Sequence, residues 1–201
     1  DGLRWFPITD MQAIDAAFVT QRVLVAHSAS HPYYGPLRKK LLEKYPQVQV
    51  FGGVQPGVRS ANFNPSRKPW DDVRMRRALH LALDRQAVVD VALLGEGTIV
   101  GYLPRGPWAI PQEELLKMPG YREPKDADLA EARRLVAEAG YAGVKSVTKV
   151  RKWPSEEKTA VMVSDAAKKI GLELTVQVME GGAYFAARNT GDFEVTHGSI
   201  T

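Results

Sequence analysis

Three consecutive stretches decide the fold: VKSVTKV (144–150), PSEEKTAVMVSDAAKKIG (154–171) and LELTVQV (172–178). The first and third are short β-rich runs. The second begins with Pro154, where a first helical turn tolerates a missing amide. Glu156 and Glu157 follow at its positive end, and Lys168-Lys169-Ile170-Gly171 closes it. Strand, helix, strand is therefore expected here, and the same alternation extends in both directions. Such alternation points to an α/β arrangement, not to segregated classes.

Towards the amino terminus, Asp126 to Ala139 reads as a helix, with Leu129, Ala132, Val136 and Ala139 on one side and Gly140 as its stop. From Gly95 to Pro124 the chain carries Pro104, Pro107, Pro111 and Pro119, a long irregular connection. Asp71 and Asp72 precede Met75, Ala78, Leu79, Ala82 and Leu83 at core-facing spacing, and Asp84 caps a following helix over Arg85 to Leu93. Val58 to Asn64 suits a strand, as do Val48 to Phe51 and Leu3 to Ile8. Thr9-Asp10 introduces a helix through Met11, Ile14, Ala17 and Phe18, and another covers Gly35 to Glu43. Towards the carboxyl terminus, Gly182 to Asn189 makes a short helix and Phe193-Glu194-Val195-Thr196 opens a final strand.

The 201 residues, 44% hydrophobic and 25% charged, suffice for a sizeable core. No apolar run is long enough to span a bilayer, and Asp1-Gly2-Leu3-Arg4 lacks the regions of a signal peptide, so any export segment is expected outside this sequence. Zero cysteines exclude disulfides, thiolate zinc sites and cysteine nucleophiles. The 27 basic and 23 acidic residues are interleaved. The densest basic cluster, Arg74, Arg76 and Arg77, shares its helix start with Asp71 and Asp72 and lacks stacking aromatics beside it. A stand-alone basic nucleic-acid-binding module is thus the competing class, and nucleic acid is not expected as a partner.

Little here supports catalysis. His27 and His31 sit among Ser28, Ser30 and Pro32, a loop without carboxylates nearby, and His80 lies inside a helix as a half-buried, hydrogen-bonded side chain. Gly52, Gly53 and Gly57 are not followed by the Lys-Ser/Thr of a phosphate loop. Adjacent Glu113-Glu114 and Glu156-Glu157 diverge by about 100° on a helix and make poor acid–base pairs. No Gly-x-Ser-x-Gly elbow occurs. No enzyme, metal or cofactor is expected. Trp70, Tyr102, Trp108, Tyr121, Trp153 and Tyr184 offer flat apolar faces for a groove, with core packing the commoner use of each.

Four segments carry a family resemblance. They are Asn62-Phe63-Asn64 with Pro69-Trp70-Asp71-Asp72-Val73-Arg74-Met75-Arg76-Arg77-Ala78-Leu79 and Leu81-Ala82-Leu83-Asp84-Arg85; Gly120-Tyr121 with Asp128 to Tyr141; Ala166 to Leu174; and Gly191-Asp192-Phe193-Glu194. In this order they resemble family 5 of the extracytoplasmic solute-binding proteins, the dipeptide- and oligopeptide-binding components of ABC importers. The resemblance implies an α/β lobe of the type II periplasmic-binding-protein kind, a mixed sheet flanked by helices. Residues 1–201 are expected as a single such lobe, the second of two, cut from a longer protein. It also implies a small solute or peptide ligand, a membrane permease of an ABC importer and the missing first lobe as partners, and a periplasmic or otherwise extracytoplasmic location.

In peptide-binding relatives an extended ligand pairs with the last strand. By position Ser199, Ile200 and Thr201 would carry those contacts. His197 and Arg188 would face a ligand carboxylate, with Tyr184 behind Arg188. The family's "Gly-Trp" is replaced by Ser199-Ile200, so an oligopeptide preference does not simply carry over. Asp71, Asp72, Arg74 and Arg85 are expected to serve helix capping and packing.

Overall fold

The structure, a computed structural model, describes residues 2, 4, 6, 8, 11–25, 35–51, 57–103 and 106–200. The chain divides into two compact units, 1–51 and 52–201. The first unit holds α1 (Met11–Val19) and α2 (Gly35–Lys44), close to the expected helices. The strand expected over Val48 to Phe51 is absent. Residues 48–51 are irregular and Phe51 is 89% exposed, because a strand needs a neighbour for its backbone groups and none of the described residues pairs with it. Most of the Leu3 to Ile8 expectation, the Gly52-Gly53 turn, His27 and His31 lie outside the described residues.

The second unit contains β1 (Val58–Phe63), α3 (Val73–Ala82), α4 (Arg85–Ala92), α5 (Gln112–Leu115), α6 (Asp126–Glu138), β2 (Lys145–Arg151), α7 (Pro154–Lys169), β3 (Glu173–Met179), α8 (Gly181–Thr190) and β4 (Val195–Ile200). The caps follow the sequence. The Asp72 side chain accepts from Arg74 N at 2.8 Å and the Asp84 side chain accepts from Ala87 N at 2.8 Å, each satisfying an orphan amide of its helix. Gly140, just past α6, has φ +73°, the left-handed turn that ends the helix. Among the described residues, the long connection after α4 contains one helix, α5, whose Leu115 is buried.

The sheet is mixed, in the order β1-β4-β2-β3. β2 runs parallel to β3 and to β4, while β1 is antiparallel to β4. From β2 the chain crosses to β3 through α7, then back over β2 to β4 through α8. Two crossovers of the same hand that travel in opposite directions put their helices on opposite faces. The core occupies the α7 face. Met75, Ala78, Leu79, Ala132, Val136, Val163 and Ala167, from α3, α6 and α7, pack with Leu174 and Val195 of the sheet. Trp70 is buried there too, and its Nε1 donates to Ser146 Oγ at 2.8 Å. Ser146 Oγ donates onward to Glu194 Oε2 at 2.6 Å, which also accepts from Val147 N at 2.9 Å. This chain ties the loop before α3 to the start of β4. Among the described residues no helix is long and apolar enough to cross a membrane.

Candidate functional site

The site grows out of a split between two parallel strands. β4 pairs with β2 only at Thr148↔Val195 and Lys149↔Thr196, whereas β2 continues to Arg151 beside β3, and β4 continues to Ile200 beside β1. The strands therefore part at their carboxyl ends, with α7 leaving β2 on one face and α8 arriving at β4 from the other. Clefts of α/β sheets form at such places, because the chain diverges there and leaves backbone uncovered.

Asn64 N donates to Glu194 O at 2.9 Å, which fixes the direction of the β4 carbonyls. Alternation along the strand turns Val195, His197 and Ser199 to the β2 side. The His197 carbonyl is taken by the hydroxyl of Tyr184, a residue of α8 that is 2% exposed. Burial raises the Tyr184 phenol above its ordinary pKa, so it remains a donor. Ser199 faces Arg59 and Ile200 faces Val58 across the β1 pairing, so the free edge of β4 lies on the other side. Thr201 lies outside the described residues.

His197 and Arg188 are separated by the sheet. His197 shares the core-side face with Val195, is 2% exposed, and lines a small cavity with Arg59, Ser60 and Gly198 and with Glu156 and Thr159 of α7. Burial lowers its pKa to about 4, and neither ring nitrogen has a hydrogen-bond partner among the described residues. At neutral pH it is an uncharged imidazole that can donate or accept one bond. Arg188 is exposed on α8, and its Nη1 stands 3.3 Å from where a Cβ on Gly198 would be, on the opposite face. Arg151 Nη2 donates to Glu156 Oε1 at 2.6 Å, and its guanidinium carbon lies 5.2 Å from the Trp153 ring centroid and 5.8 Å from that of Phe185.

The fold gathers Tyr184, Arg188 and His197 around one turn of strand, as their sequence positions implied, but presents the two basic candidates to different faces. Of the aromatic candidates, Trp70 and Tyr184 are buried, Tyr121 and Trp153 are half-buried, and Tyr102 and Trp108 are exposed. Three neighbours of these residues, Asn62, Glu156 and Gly198, are not among the candidates read from the sequence. Asn62 lies within the best-recognised motif and reads there as scaffold. Only the β1–β4 register, Asn62↔Thr196, brings it to the site. His80 is half-buried, 3.3 Å from Pro119 O through Nε2 and 3.0 Å from Arg85 Nη2 through Nδ1, the role its helix position implied.

Comparison with known proteins gives consistent matches. The model of the bacterial extracellular solute-binding proteins, family 5 Middle, matches residues 1–201. The probable deoxycholate-binding periplasmic protein YgiS of Escherichia coli is 33% identical over 145 residues, covering 69% of this chain and 26% of that protein. The glutathione-binding protein GsiB of Salmonella choleraesuis is 28% identical over 188 residues, 90% of this chain and 33% of that one. The chain thus spans between about a quarter and a third of the length of these relatives.

Among solved structures, Haemophilus influenzae OppA in complex with RPPGFSPFR matches 83% of this chain and 34% of its own at 26% identity, with a TM-score of 0.64. The periplasmic binding protein DppA from Helicobacter pylori in complex with peptide STSA matches 96% of this chain and 36% of its own at 22% identity, TM-score 0.73, a likeness of fold.

Proposed function

Since the chain belongs to family 5 of the bacterial extracellular solute-binding proteins, we propose that it forms part of an extracytoplasmic protein that captures a peptide or another small organic solute for a membrane permease of the ABC importer type. Residues 1–201 are kept as one lobe, with its sheet and core carried by 52–201. The remainder of the full-length protein supplies the opposing lobe. Closure of two lobes on a ligand is a hinge motion that neither lobe performs alone.

The observation that carries this reading is the parting of β2 and β4 at their carboxyl ends, with the 197–199 edge of β4 left without a strand neighbour on that side among the described residues. In this reading the ligand lies along that edge. Of the residues expected there by position, Ser199 turns its backbone groups to that edge, whereas Ile200 turns its own to β1, and Thr201 lies outside the described residues. Arg188 supplies positive charge from the α8 side, and His197 supplies a neutral ring nitrogen from the α7 side. Tyr184 holds the strand in place by its bond to the His197 carbonyl. No group is assigned a bond-making role, and the names of the relatives describe binding.

The test is ligand-induced stabilisation of the full-length protein against separate panels of di- to nonapeptides, glutathione and bile acids, with small-angle scattering in parallel. A saturable rise in melting temperature with one panel, accompanied by a fall in radius of gyration, is the expected result. Absence of both effects with all panels, or binding of oligonucleotide that weakens steeply with salt, would overturn the proposal.

A further inference from the structure

β3 is the last strand of the sheet, paired with β2 on one side and with no described strand on the other. Its register with β2 runs one to one from Glu173 to Met179, without a bulge. Glu173 N donates to Val144 O at 3.0 Å and Met179 O accepts from Lys152 N at 2.8 Å, so Glu173, Thr175, Gln177 and Met179 direct their backbone groups to β2. Those of Leu174, Val176 and Val178 point outwards. The Leu174 carbonyl accepts from Ser164 Oγ of α7 at 2.5 Å, and the outward groups of Val176 and Val178 have no partner among the described residues.

An open row of amides and carbonyls recruits another strand, and edges are commonly guarded by a lysine, a proline or a bulge. β3 has none of these. Leu174-Thr175-Val176-Gln177-Val178-Met179 is uncharged and rich in β-branched residues. Beside the edge, Val178 of β3 and Val161 of α7 are 46% and 50% exposed. The charges flanking this run fit a second copy of the same edge. Lys145 pairs with Glu173 at 3.4 Å at one end, and Lys152 with Glu180 at 3.0 Å at the other. An antiparallel second copy brings the first ion pair of one chain beside the second ion pair of the other, so each end of the joint is neutral.

We propose that two copies of the protein join edge to edge through β3, antiparallel about a two-fold axis at Val176, into one continuous sheet. An axis perpendicular to the sheet keeps both α7 helices on the same face, so facing residues come from the same face of β3. Leu174 then stands opposite Val178 of the second copy, Val176 opposite Val176, and Thr175 opposite Gln177. The residues whose backbone groups point outwards are the ones that meet, and each such pair exchanges both of its hydrogen bonds. A slip of one residue would set Glu173 against Glu180 and outward groups against inward ones. One strand edge buries less surface than a stable dimer needs, so the association is weak, with a Kd on the order of 100 μM. Because the strands of the two copies run in opposite directions, the carboxyl ends of β2 and β4 lie at opposite ends of the joint sheet. Association therefore leaves both candidate sites open, and it does not depend on the solute-binding reading.

The test is sedimentation velocity of the full-length protein from about 1 μM to about 1 mM, with near-ultraviolet circular dichroism to verify folding. The boundary is expected to move from monomer to dimer with rising concentration and to stop there, because a two-fold pair uses up the edge. Thr175→Lys/Gln177→Lys changes two exposed positions that face each other across the joint and is expected to weaken the dimer at least about tenfold. Thr175→Glu/Gln177→Glu should do the same, and a one-to-one mixture of the two variants should restore association. Val178→Lys, at an exposed edge position opposite Leu174, is a single change expected to weaken the dimer by a similar factor. A full-length protein that stays monomeric throughout would mean that other parts of the polypeptide cover the edge, and would overturn the proposal. So would a dimer indifferent to these changes, or lysine and glutamate variants that stay monomeric when mixed.

Discussion

At Gly120 the backbone φ is +89°, and an added Cβ would stand 2.4 Å from His80 Nε2. The Gly120 carbonyl accepts from Arg85 and from Lys125 Nζ, and its amide donates to Asp128 Oδ2 at 2.8 Å. Burial alone would raise the pKa of the fully buried Asp128 carboxyl, but the Gly120 amide, Arg122 and Lys125 outweigh it and hold the pKa below its usual value. Gly120→Ala is therefore expected to cost about 3 kcal/mol, from left-handed strain plus overpacking, read as a drop in the denaturant midpoint.

His197 yields a second prediction at this scale. Its folded pKa, about 4, lies below the unfolded value, so the unfolded chain takes up the proton first as pH falls. Stability is unaffected by this group above about pH 6.5 and declines between there and about pH 4, by up to about 3 kcal/mol in all. His197→Gln should flatten that part of the pH–stability curve. An unchanged curve would show that His197 is not buried as a neutral ring.

Among the elements, α8 is joined to β4 chiefly by the Tyr184 hydroxyl, and β4 to the loop before α3 by the Trp70, Ser146 and Glu194 chain. Tyr184→Phe removes one buried hydrogen bond and leaves the His197 carbonyl unpaired, a cost of about 1 kcal/mol. Hydrogen exchange should report it as faster opening of α8 with α7 unchanged, because α7 is held by the core. The helices were legible because their ends are written locally: Asp72 and Asp84 cap, and Gly140 stops. The strand expected at Val48 to Phe51 was misread because a short apolar run becomes a strand only when a neighbour accepts its backbone, which sequence spacing does not record.

For the whole molecule, the main buried cluster among the described residues runs from Trp70 to Val195, within the second unit. A polypeptide of residues 52–201 is accordingly expected to unfold in one cooperative guanidinium transition followed by near-ultraviolet circular dichroism. A broad, featureless loss would show that the unit depends on chain outside it. The alternating strand and helix patterns, the capped helices and four ordered motifs determined the α/β class and the family from sequence alone, since periodicity and caps depend on neighbours a few residues apart. The site was only partly legible. Tyr184, Arg188 and His197 lie within fourteen residues of one another, and their placement near β4 followed from that. Tertiary structure alone decided that His197 and Arg188 face opposite sides of the sheet, that β2 and β4 part after Lys149 and Thr196, and that Asn62 comes opposite Thr196. The physical reason is register: strand pairing joins residues 47 positions apart between β2 and β4 and more than a hundred apart between β1 and β4, and a shift of one residue would have turned each of them to the other face.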